Sequence, residues 1–283
     1  MDLQSAIKAI DTHIKEANHQ EALSAITRTA NECHSKAIEG ATFKECRYSN
    51  KKYLLIDNRG ETSRPINIEI WDPRHQSPAA WPQNKSGLES AESANASIYS
   101  LATSAAIFID IYSPSSRKTP GTFFERVIRV FIGEKLGPEF AYGSFVPTSA
   151  GIKVSTDISI TNQARTTGLV LAAKITTRER ISQVFTQQRI LDVLEPQKYT
   201  SCLVALSEMQ RSGQDNAREV CTPDQWILYQ MCLSQNVTHA FYGDIPSGLG
   251  RVTKGGISLL SLDGLEEHLQ RFKQQAEAAQ NQA

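Results

Sequence analysis

The stretch LVLAAKITTRERISQVFTQQRIL, Leu169 to Leu191, joins a strand pattern to a helix pattern without a break. Its apolar, β-branched run ends at Lys174, and the two threonines that follow are typical of a helix start. The first helical turn then contains Arg178 and Arg180. Because a helix N-terminus carries partial positive charge, each arginine there costs about a few tenths of a kcal/mol unless an anion lies opposite. The stretch therefore predicts a buried strand followed by a helix whose start faces an anion.

The overall composition is that of an ordinary globular protein. The chain has 283 residues, of which 40% are hydrophobic, enough for one large domain or two smaller ones. Thirty basic and thirty acidic residues give a formal net charge of zero, which disfavours general coating of a polyanion. A site for a polyanion would need a local excess of positive charge. Residues 151–200 have such an excess, with seven Lys and Arg against four acids.

Cysteine, histidine and hydropathy patterns exclude several classes of protein. The five cysteines form no CxxC pair and the six histidines show no HExxH spacing, which argues against a disulfide framework, a zinc site and a zinc hydrolase. The N-terminus lacks the layout of a signal peptide, and apolar runs such as SAAIFIDIY stop well short of the roughly 20 residues of a bilayer span. We therefore expect a cytoplasmic protein with no membrane partner.

The first third of the chain is predicted to be an accessory region over residues 1–90. Apolar positions at helical spacing predict two amphipathic helices in residues 3–38, broken near Asn18. Residues 53–72 predict two short strands around an Asn-Arg-Gly turn, and DPRHQSPAAWPQNKSG has the composition of a loop. Residues 91–283 are predicted to form the main domain.

In that main domain, helical and strand patterns alternate. Helices are predicted at about Glu92 to Tyr112 and from Thr119 to a Gly-Pro stop. Strands are then predicted at GIKVSTDISITN, GLVLAAKI, TSCLVALS and VTHAFYG, and helices at residues 177–194, 223–234 and 261–275, with a frayed tail. This order predicts an α/β fold in which helices flank both sides of a central mixed β-sheet.

Asp157 and Lys174 are the candidate chemical pair of this sheet. They lie on successive predicted strands, so the carboxylate and the ammonium can meet at one edge. An acid that binds Mg²⁺ beside a Lys that steadies an attacking water suits phosphodiester hydrolysis. A plain ion pair at a strand edge is the alternative.

The RER segment also has two interpretations. Thr176 and Glu179 have the spacing of a capping box, which would give Glu179 a purely local role. Arg178 and Arg180, however, lie on different faces of a helix, yet at its first turn both can reach one object beyond the end. A DNA major groove offers guanine acceptors to Arg and a cytosine donor to Glu. The expected anion is therefore DNA.

The segment KITTRERISQ resembles the signature of type II restriction endonucleases that cut sites with a CCGG, CCNGG or CCWGG core, a branch of the PD-(D/E)XK nuclease superfamily. The resemblance implies that Arg178, Glu179 and Arg180 read the G·C pairs of the core and that Lys174 is catalytic. It identifies Asp157, in STDISI, with the upstream acid, although Thr replaces the usual Pro. A further match, GTFFERVI, adds the acid Glu125. The resemblance covers roughly Thr119 to Leu194 and leaves out the first hundred residues.

Two departures from the family pattern concern the second acid. Ala172 stands where an ExK motif has its acid, and Gln187 stands where this branch places a Glu on the following helix. Gln keeps an acceptor oxygen but loses the charge, so Mg²⁺ affinity should fall unless Glu125 supplies the second carboxylate. Three interpretations stay open: a natural variant that relies on Asp157 and Glu125, weakened cleavage, or a change introduced to hold DNA without cutting it.

The resemblance implies a restriction-endonuclease-like core and Mg²⁺-dependent cleavage of double-stranded DNA at a short palindrome, leaving 5′-phosphates. Asp157 and Glu125 would bind the metal, Lys174 would orient the water and Gln187 would assist. It further implies a homodimer or tetramer in a prokaryotic cytoplasm, with a cognate DNA methyltransferase. The competing hypotheses are a sequence-specific DNA-binding protein with an inactive nuclease site, a repair or nicking nuclease that recognises DNA structure, and a protein with no DNA affinity.

Overall fold

The computed structural model describes residues 2–72, 93–164, 166–213 and 216–280. These residues form two compact units, one of Met1–Val130 with Met209–Glu219 and one of Phe131–Glu208 with Val220–Ala283. The boundary at residue 130 differs from the division expected near residue 90, because a long apolar helix that follows residue 93 packs with the N-terminal helices. The predicted loop at residues 72–87 lies almost entirely outside the described residues.

The first unit combines helices with a small antiparallel sheet. Its helices are α1 (Leu3–Lys15), α2 (His19–Ile38), α3 (Ala94–Tyr112) and the start of α4 (Thr119–Leu136). Its strands are β1 (Thr42–Tyr48), β2 (Lys51–Asn58), β3 (Glu61–Thr62) and β4 (Ile66–Asn67), with a separate hairpin of β9 (Met209–Ser212) and β10 (Asn216–Glu219). The predicted helix break is confirmed, since the Asn18 side chain accepts the Glu21 N–H and begins α2.

Helix α3 is the core helix of this unit. By length and composition it is apolar enough to cross a membrane, but 89% of its apolar window is buried within the protein. Ser93 begins it, with a side chain that accepts the Ala96 N–H, and the helix ends before Pro114, as the sequence predicts.

The second unit contains a six-stranded mixed sheet. Its strands are β5 (Phe140–Pro147), β6 (Lys153–Asn162), β7 (Gly168–Lys174), β8 (Tyr199–Ser207), β11 (Val237–Asp244) and β12 (Ser258–Ser261), in the order β12-β11-β8-β7-β6-β5. Strands β7, β8, β11 and β12 are parallel neighbours, whereas β5, β6 and β7 pair antiparallel. Every residue of β7 is buried, which explains its continuous apolar run.

Helices cover both faces of this sheet. Helices α5 (Ile181–Leu194) and α6 (Pro223–Cys232), with a 3₁₀ segment at Ser247–Gly255, bury one core around Phe185 and Trp226. On the opposite face, helix α7 (Asp263–Gln280) brings His268 against Phe241 of β11. The predicted α/β fold with a central mixed sheet flanked by helices is therefore confirmed. The expectation of a frayed tail is wrong up to Gln280, because α7 continues to that residue.

Candidate functional site

Asp157 and Lys174 meet at one edge of the six-stranded sheet. Asp157 lies within β6, and Lys174 is the last residue of the neighbouring antiparallel strand β7. The Lys174 Nζ donates to Asp157 Oδ2 at 2.6 Å, and the Ala173 backbone N–H donates to the same oxygen at 2.9 Å. The side chain of Lys174 is only 9% exposed and that of Asp157 20%. The pair thus holds opposite charges at a partly buried strand edge, as expected.

Gln187 of α5 lies beside the strand that carries Asp157. Its Nε2 donates to the backbone carbonyl of Ser155 at 2.6 Å, and Ser155 is two residues before Asp157. The amide oxygen of Gln187 is the atom left to face other groups. The structure therefore brings Asp157, Lys174 and Gln187 to one part of the sheet.

Position 172, where an ExK motif has its acid, is an alanine buried in the apolar core. Its side chain is 3% exposed and packs in the core with Ile181 and Phe185 of α5. A carboxylate in this apolar surrounding would lose its hydration without gaining a partner. Ala172 is therefore part of the apolar core beneath α5.

The RER segment forms a 3₁₀ turn and not the first turn of an α-helix that the sequence predicts. Arg178–Arg180 form a 3₁₀ turn, and the α-helix starts only at Ile181. The residue at the N-cap position of this turn is Thr177, and its side chain makes no capping hydrogen bond. The predicted capping box, with Thr176 at the N-cap, therefore does not start the helix. Arg178 has φ +25°, a strained conformation for a residue other than Gly. Such strain is commonly found at functional sites.

Both arginines of this turn are exposed to solvent. Their exposure leaves the guanidinium groups accessible to a ligand, directly after the strand that ends at Lys174. The Glu179 side chain lies outside the described residues, so its role in base recognition stays a prediction.

The Glu208 carboxyl group lies at the start of the turn. Its carboxylate oxygens accept the Thr177 backbone N–H at 2.9 and 3.1 Å, and one also accepts the Tyr242 hydroxyl at 2.9 Å. Burial raises the pKa of Glu208, while the bonds donated by Thr177 and Tyr242 favour the charged form. The Glu208 side chain, at the residue that directly follows β8, thus accepts the Thr177 N–H in place of a local capping box.

Sequence reasoning did not select Glu208. In the sequence, Glu208 is a single acid directly after the apolar strand TSCLVALS. An acid at the end of a strand is common and does not by itself indicate a functional residue. The link to Thr177 joins residues 31 positions apart in the chain. A further bond from the Ser207 N–H to the Ile175 carbonyl, 3.0 Å, fixes the same two segments side by side.

Glu125, the proposed second carboxylate, belongs to the first unit. It accepts a hydrogen bond from Arg126 at 2.6 Å, and Arg126 also binds Asp11 of α1. Its proposed role as a metal ligand stays a prediction.

The donor set at the sheet edge fits Mg²⁺ chemically. This ion prefers oxygen ligands, keeps several waters and typically uses one or two carboxylates together with substrate phosphates. Asp157 offers a carboxylate whose two described hydrogen bonds both fall on Oδ2, so Oδ1 is the oxygen suited to a metal. Gln187 adds a neutral amide oxygen nearby, which binds Mg²⁺ more weakly than a carboxylate.

The crystal structure of the type IIP restriction endonuclease Kpn2I is similar to this chain with a TM-score of 0.79. The similarity covers 96% of this chain and 98% of the Kpn2I chain, at 24% sequence identity. This chain has the fold of a type IIP restriction endonuclease. The fold implied by the resemblance in KITTRERISQ is therefore confirmed, and the similarity also extends over the first hundred residues, which the motifs did not cover.

Other comparisons add little to this conclusion. The complex of restriction endonuclease PspGI with substrate DNA is similar with a TM-score of 0.47 and 10% identity, over 69% of this chain and 85% of that one. That similarity is too weak to support an argument. No protein-family model and no curated protein matches the sequence.

Proposed function

We propose that this protein is a type II restriction endonuclease, which hydrolyses phosphodiesters in both strands of a short palindromic DNA site with a CCGG or CCNGG-type core and leaves 5′-phosphates. The observation that carries the proposal is the Asp157–Lys174 pair at a sheet edge, followed four residues later by an exposed arginine at a strained turn. A restriction-endonuclease fold is the setting in which such a pair would act.

Each residue has a distinct proposed role. Asp157 would hold Mg²⁺, with Glu125 as the proposed co-ligand, and the ion would stabilise negative charge on the phosphate. Lys174 orients the attacking water and stabilises charge that develops on the scissile phosphate. Before DNA binds, Asp157 balances the charge of this poorly exposed lysine. Gln187 would assist the metal or its water shell through its amide oxygen.

Digestion of a long mixed-sequence DNA in Mg²⁺, with sequencing of the fragment ends, tests the function. Discrete ends that share a palindrome with a CC…GG core support the proposal and give the site and overhang. Cuts confined to branched or nicked substrates would indicate a structure-specific nuclease instead.

The second candidate is a sequence-specific DNA-binding protein with an inactive nuclease site. Gln187 and Ala172 favour it, since neither of the two family positions for the second acid holds a carboxylate in this chain. Tight specific binding without hydrolysis in Mg²⁺ or Mn²⁺ would support this candidate and contradict the nuclease.

Replacement of Gln187 by Glu separates these candidates. A carboxylate at this position adds a charged oxygen ligand, so we expect the Mg²⁺ concentration for half-maximal cleavage to fall about tenfold or more. Cleavage rates across a Mg²⁺ titration measure the effect. The exposed Gln270 on α7 provides the control, because Gln270→Glu makes the same charge change on another helix of the same unit. Equal effects of both variants would exclude a local role for Gln187.

Replacement of Arg178 or Arg180 by Ala should weaken specific binding by about 1 to 3 kcal/mol and relax discrimination at one base pair. Binding to the cognate duplex and to single-base variants measures both effects. Arg189, exposed on the following helix α5, is the control, and Arg189→Ala should leave discrimination unchanged. A uniform loss over all sequences would mean that the arginines contact phosphates only.

A homodimer is proposed because a palindrome presents each strand to one of two symmetric active sites. Helices α5 and α6, which pack together, each expose two large apolar side chains three residues apart: Ile190 and Val193, then Leu228 and Met231. Met231 is 75% exposed and Val193 61%. We propose that these helices contribute to contact between two subunits, with a tetramer as a further assembly.

Replacement of Met231 or Val193 by Glu should raise the dissociation constant of the dimer about tenfold or more, because a charge is then buried at an apolar contact. Light scattering with size-exclusion chromatography measures the mass. Ile152→Glu, at a residue 55% exposed in another part of the same unit, controls for loss of any exposed apolar group. Unchanged mass in both helix variants would contradict this interface.

The proposed function has two cellular consequences. An enzyme that cuts a short site needs protected host DNA, so a methyltransferase of the same specificity is the proposed partner. The proposed location is the cytoplasm of a prokaryote, where both proteins meet DNA.

A further inference from the structure

Cys202, His239 and His268 converge on the face of the sheet covered by α7. Their ligand atoms all lie within 4.8 Å of one another. The Cys202 Sγ is 3.4 Å from the His268 Nε2, and the two histidine rings are 4.4 Å apart between centroids. The cluster is built from β8, β11 and α7, whereas the Asp157–Lys174 pair belongs to β6 and β7.

The fold holds these three residues together by register and packing. His239 pairs directly with Cys202 across the parallel strands β11 and β8, so both side chains project from the same face. Leu265 and Leu269, both fully buried, anchor the turn of α7 that presents His268. The ligand positions therefore depend on core packing rather than on a mobile loop.

The rings are also oriented by their neighbours. Phe241 stacks on His239 at 5.9 Å with an interplanar angle of 12°, and its ring lies 5.5 Å from that of His268. The Thr238 hydroxyl lies 2.8 Å from the His239 Nδ1, which leaves Nε2 as the nitrogen for a ligand. Metal-ligating histidines usually have such a hydrogen bond on the ring nitrogen that does not bind the metal, which fixes the orientation of the ring.

We propose that Cys202, His239 and His268 bind a transition-metal ion of the zinc class, as a site separate from the nuclease centre. One thiolate and two imidazoles are ligands that Zn²⁺ takes in tetrahedral sites, whereas Mg²⁺ prefers oxygen. Zn–S and Zn–N bonds of about 2.3 and 2.0 Å at tetrahedral angles place S and N about 3.5 Å apart, close to the 3.4 Å observed. Three protein ligands leave one coordination position for water or another ligand.

Two features oppose binding and limit the affinity. Burial raises the pKa of the Cys202 thiol to about 12, so the metal must displace a proton. Arg271, one turn from His268 on α7, adds positive charge that acts on both histidines. The negative thiolate offsets part of this repulsion once it forms.

The bound ion would tie α7 to the two central strands β8 and β11. Because a metal that binds only the folded protein stabilises it by mass action, saturating Zn²⁺ should raise the melting temperature by at least about 3 °C. This role is structural and independent of cleavage.

Cobalt and zinc binding to the full-length, chelator-treated protein tests the site. We expect one Co²⁺ per chain, with visible d–d bands of a tetrahedral site and a near-ultraviolet thiolate charge-transfer band, both displaced by Zn²⁺. Cys202→Ser should abolish the charge-transfer band, and His268→Gln or His239→Gln should weaken binding at least about tenfold. Cys232→Ser, at an exposed cysteine of the same unit, should change neither.

The test also separates loss of ligand from loss of fold. Near-ultraviolet circular dichroism of each variant without metal shows whether it retains the packed structure, and at least one histidine variant that does so is required for comparison. Absence of stoichiometric metal in the wild-type protein, or unchanged binding in folded His239→Gln and His268→Gln, would overturn the proposal. Neither result bears on DNA cleavage, which is measured separately.

Discussion

Asp157→Asn and Lys174→Gln should each reduce the rate of DNA cleavage by at least about 100-fold. Asn retains an oxygen that can accept the Ala173 N–H but removes the charge that holds a metal ion. Gln at position 174 removes the ammonium that stabilises charge on the phosphate, a contribution of about 10² to 10³ in rate for comparable preorganised donors. Single-turnover cleavage of a cognate duplex measures both effects, and binding in Ca²⁺ shows that specific recognition persists.

The ion pair between Lys135 and Glu266 supplies a matched control in the same unit. Its 2.6 Å separation equals that of Lys174 and Asp157, and the Lys135 side chain is 6% exposed. Lys135→Gln should therefore cause a comparable loss of stability, since it removes one member of a poorly exposed pair, with no loss of cleavage. If both lysine variants lose activity in parallel with stability, Asp157 and Lys174 form a structural ion pair and the proposed catalysis is wrong.

Local patterns predicted the elements of the sheet that carries this pair. Strand β7 has a continuous apolar run because it is buried on both sides, and Asp157 interrupts the strand pattern of β6 where the sheet edge becomes accessible. The spacing of these residues along two neighbouring strands was enough to predict that they meet. Motif resemblance then added the roles of the arginines, which composition alone does not indicate.

Contacts between distant parts of the chain escaped prediction. The β9 and β10 hairpin leaves the second unit and joins the first, where Met209 packs with Cys46, Tyr53 and Leu55. No local pattern in MQRSGQDNARE indicates that partner. The convergence of Cys202, His239 and His268 has the same cause: zinc-site spacing rules describe nearby residues, whereas these ligands come from three elements.

The start of the RER segment shows how such a contact alters a local prediction. Thr-x-x-Glu spacing predicts a capping box at Thr176, but the Thr177 N–H instead binds Glu208, the residue that follows β8. The first turn is 3₁₀, with Arg178 at positive φ, directly after the residue that Glu208 binds. Glu208, which the sequence patterns do not single out, thus binds the backbone directly before the predicted DNA-reading residues Arg178 and Arg180.

Glu208→Ala should lower both the stability of the second unit and the fidelity of DNA recognition. It leaves the buried Thr177 N–H and Tyr242 hydroxyl without an acceptor, which costs about 1 to 3 kcal/mol for each group and about 2 to 6 kcal/mol in total. The 3₁₀ turn then loses its anchor, so we expect the ratio of cleavage at cognate to near-cognate sites to fall at least about tenfold. Glu208→Gln keeps one acceptor oxygen and should restore part of both properties.

Replacement of Glu195 is the control that shows whether Glu208 positions the arginines or only stabilises the fold. It lies at the other end of α5, is 8% exposed, and accepts hydrogen bonds from the Ser149 N–H and from Lys198 at 3.0 Å. Glu195→Ala should therefore destabilise the same unit while it leaves the cleavage ratio unchanged. Both variants are compared at a temperature where each remains folded. Cleavage of duplexes with single base-pair substitutions in the core of the recognition site then measures the proposed base contacts of Arg178. If Glu195→Ala and Glu208→Ala relax specificity equally, loss of stability alone explains the effect; if only Glu208→Ala does so, the buried carboxylate holds the arginines in the geometry that reads DNA.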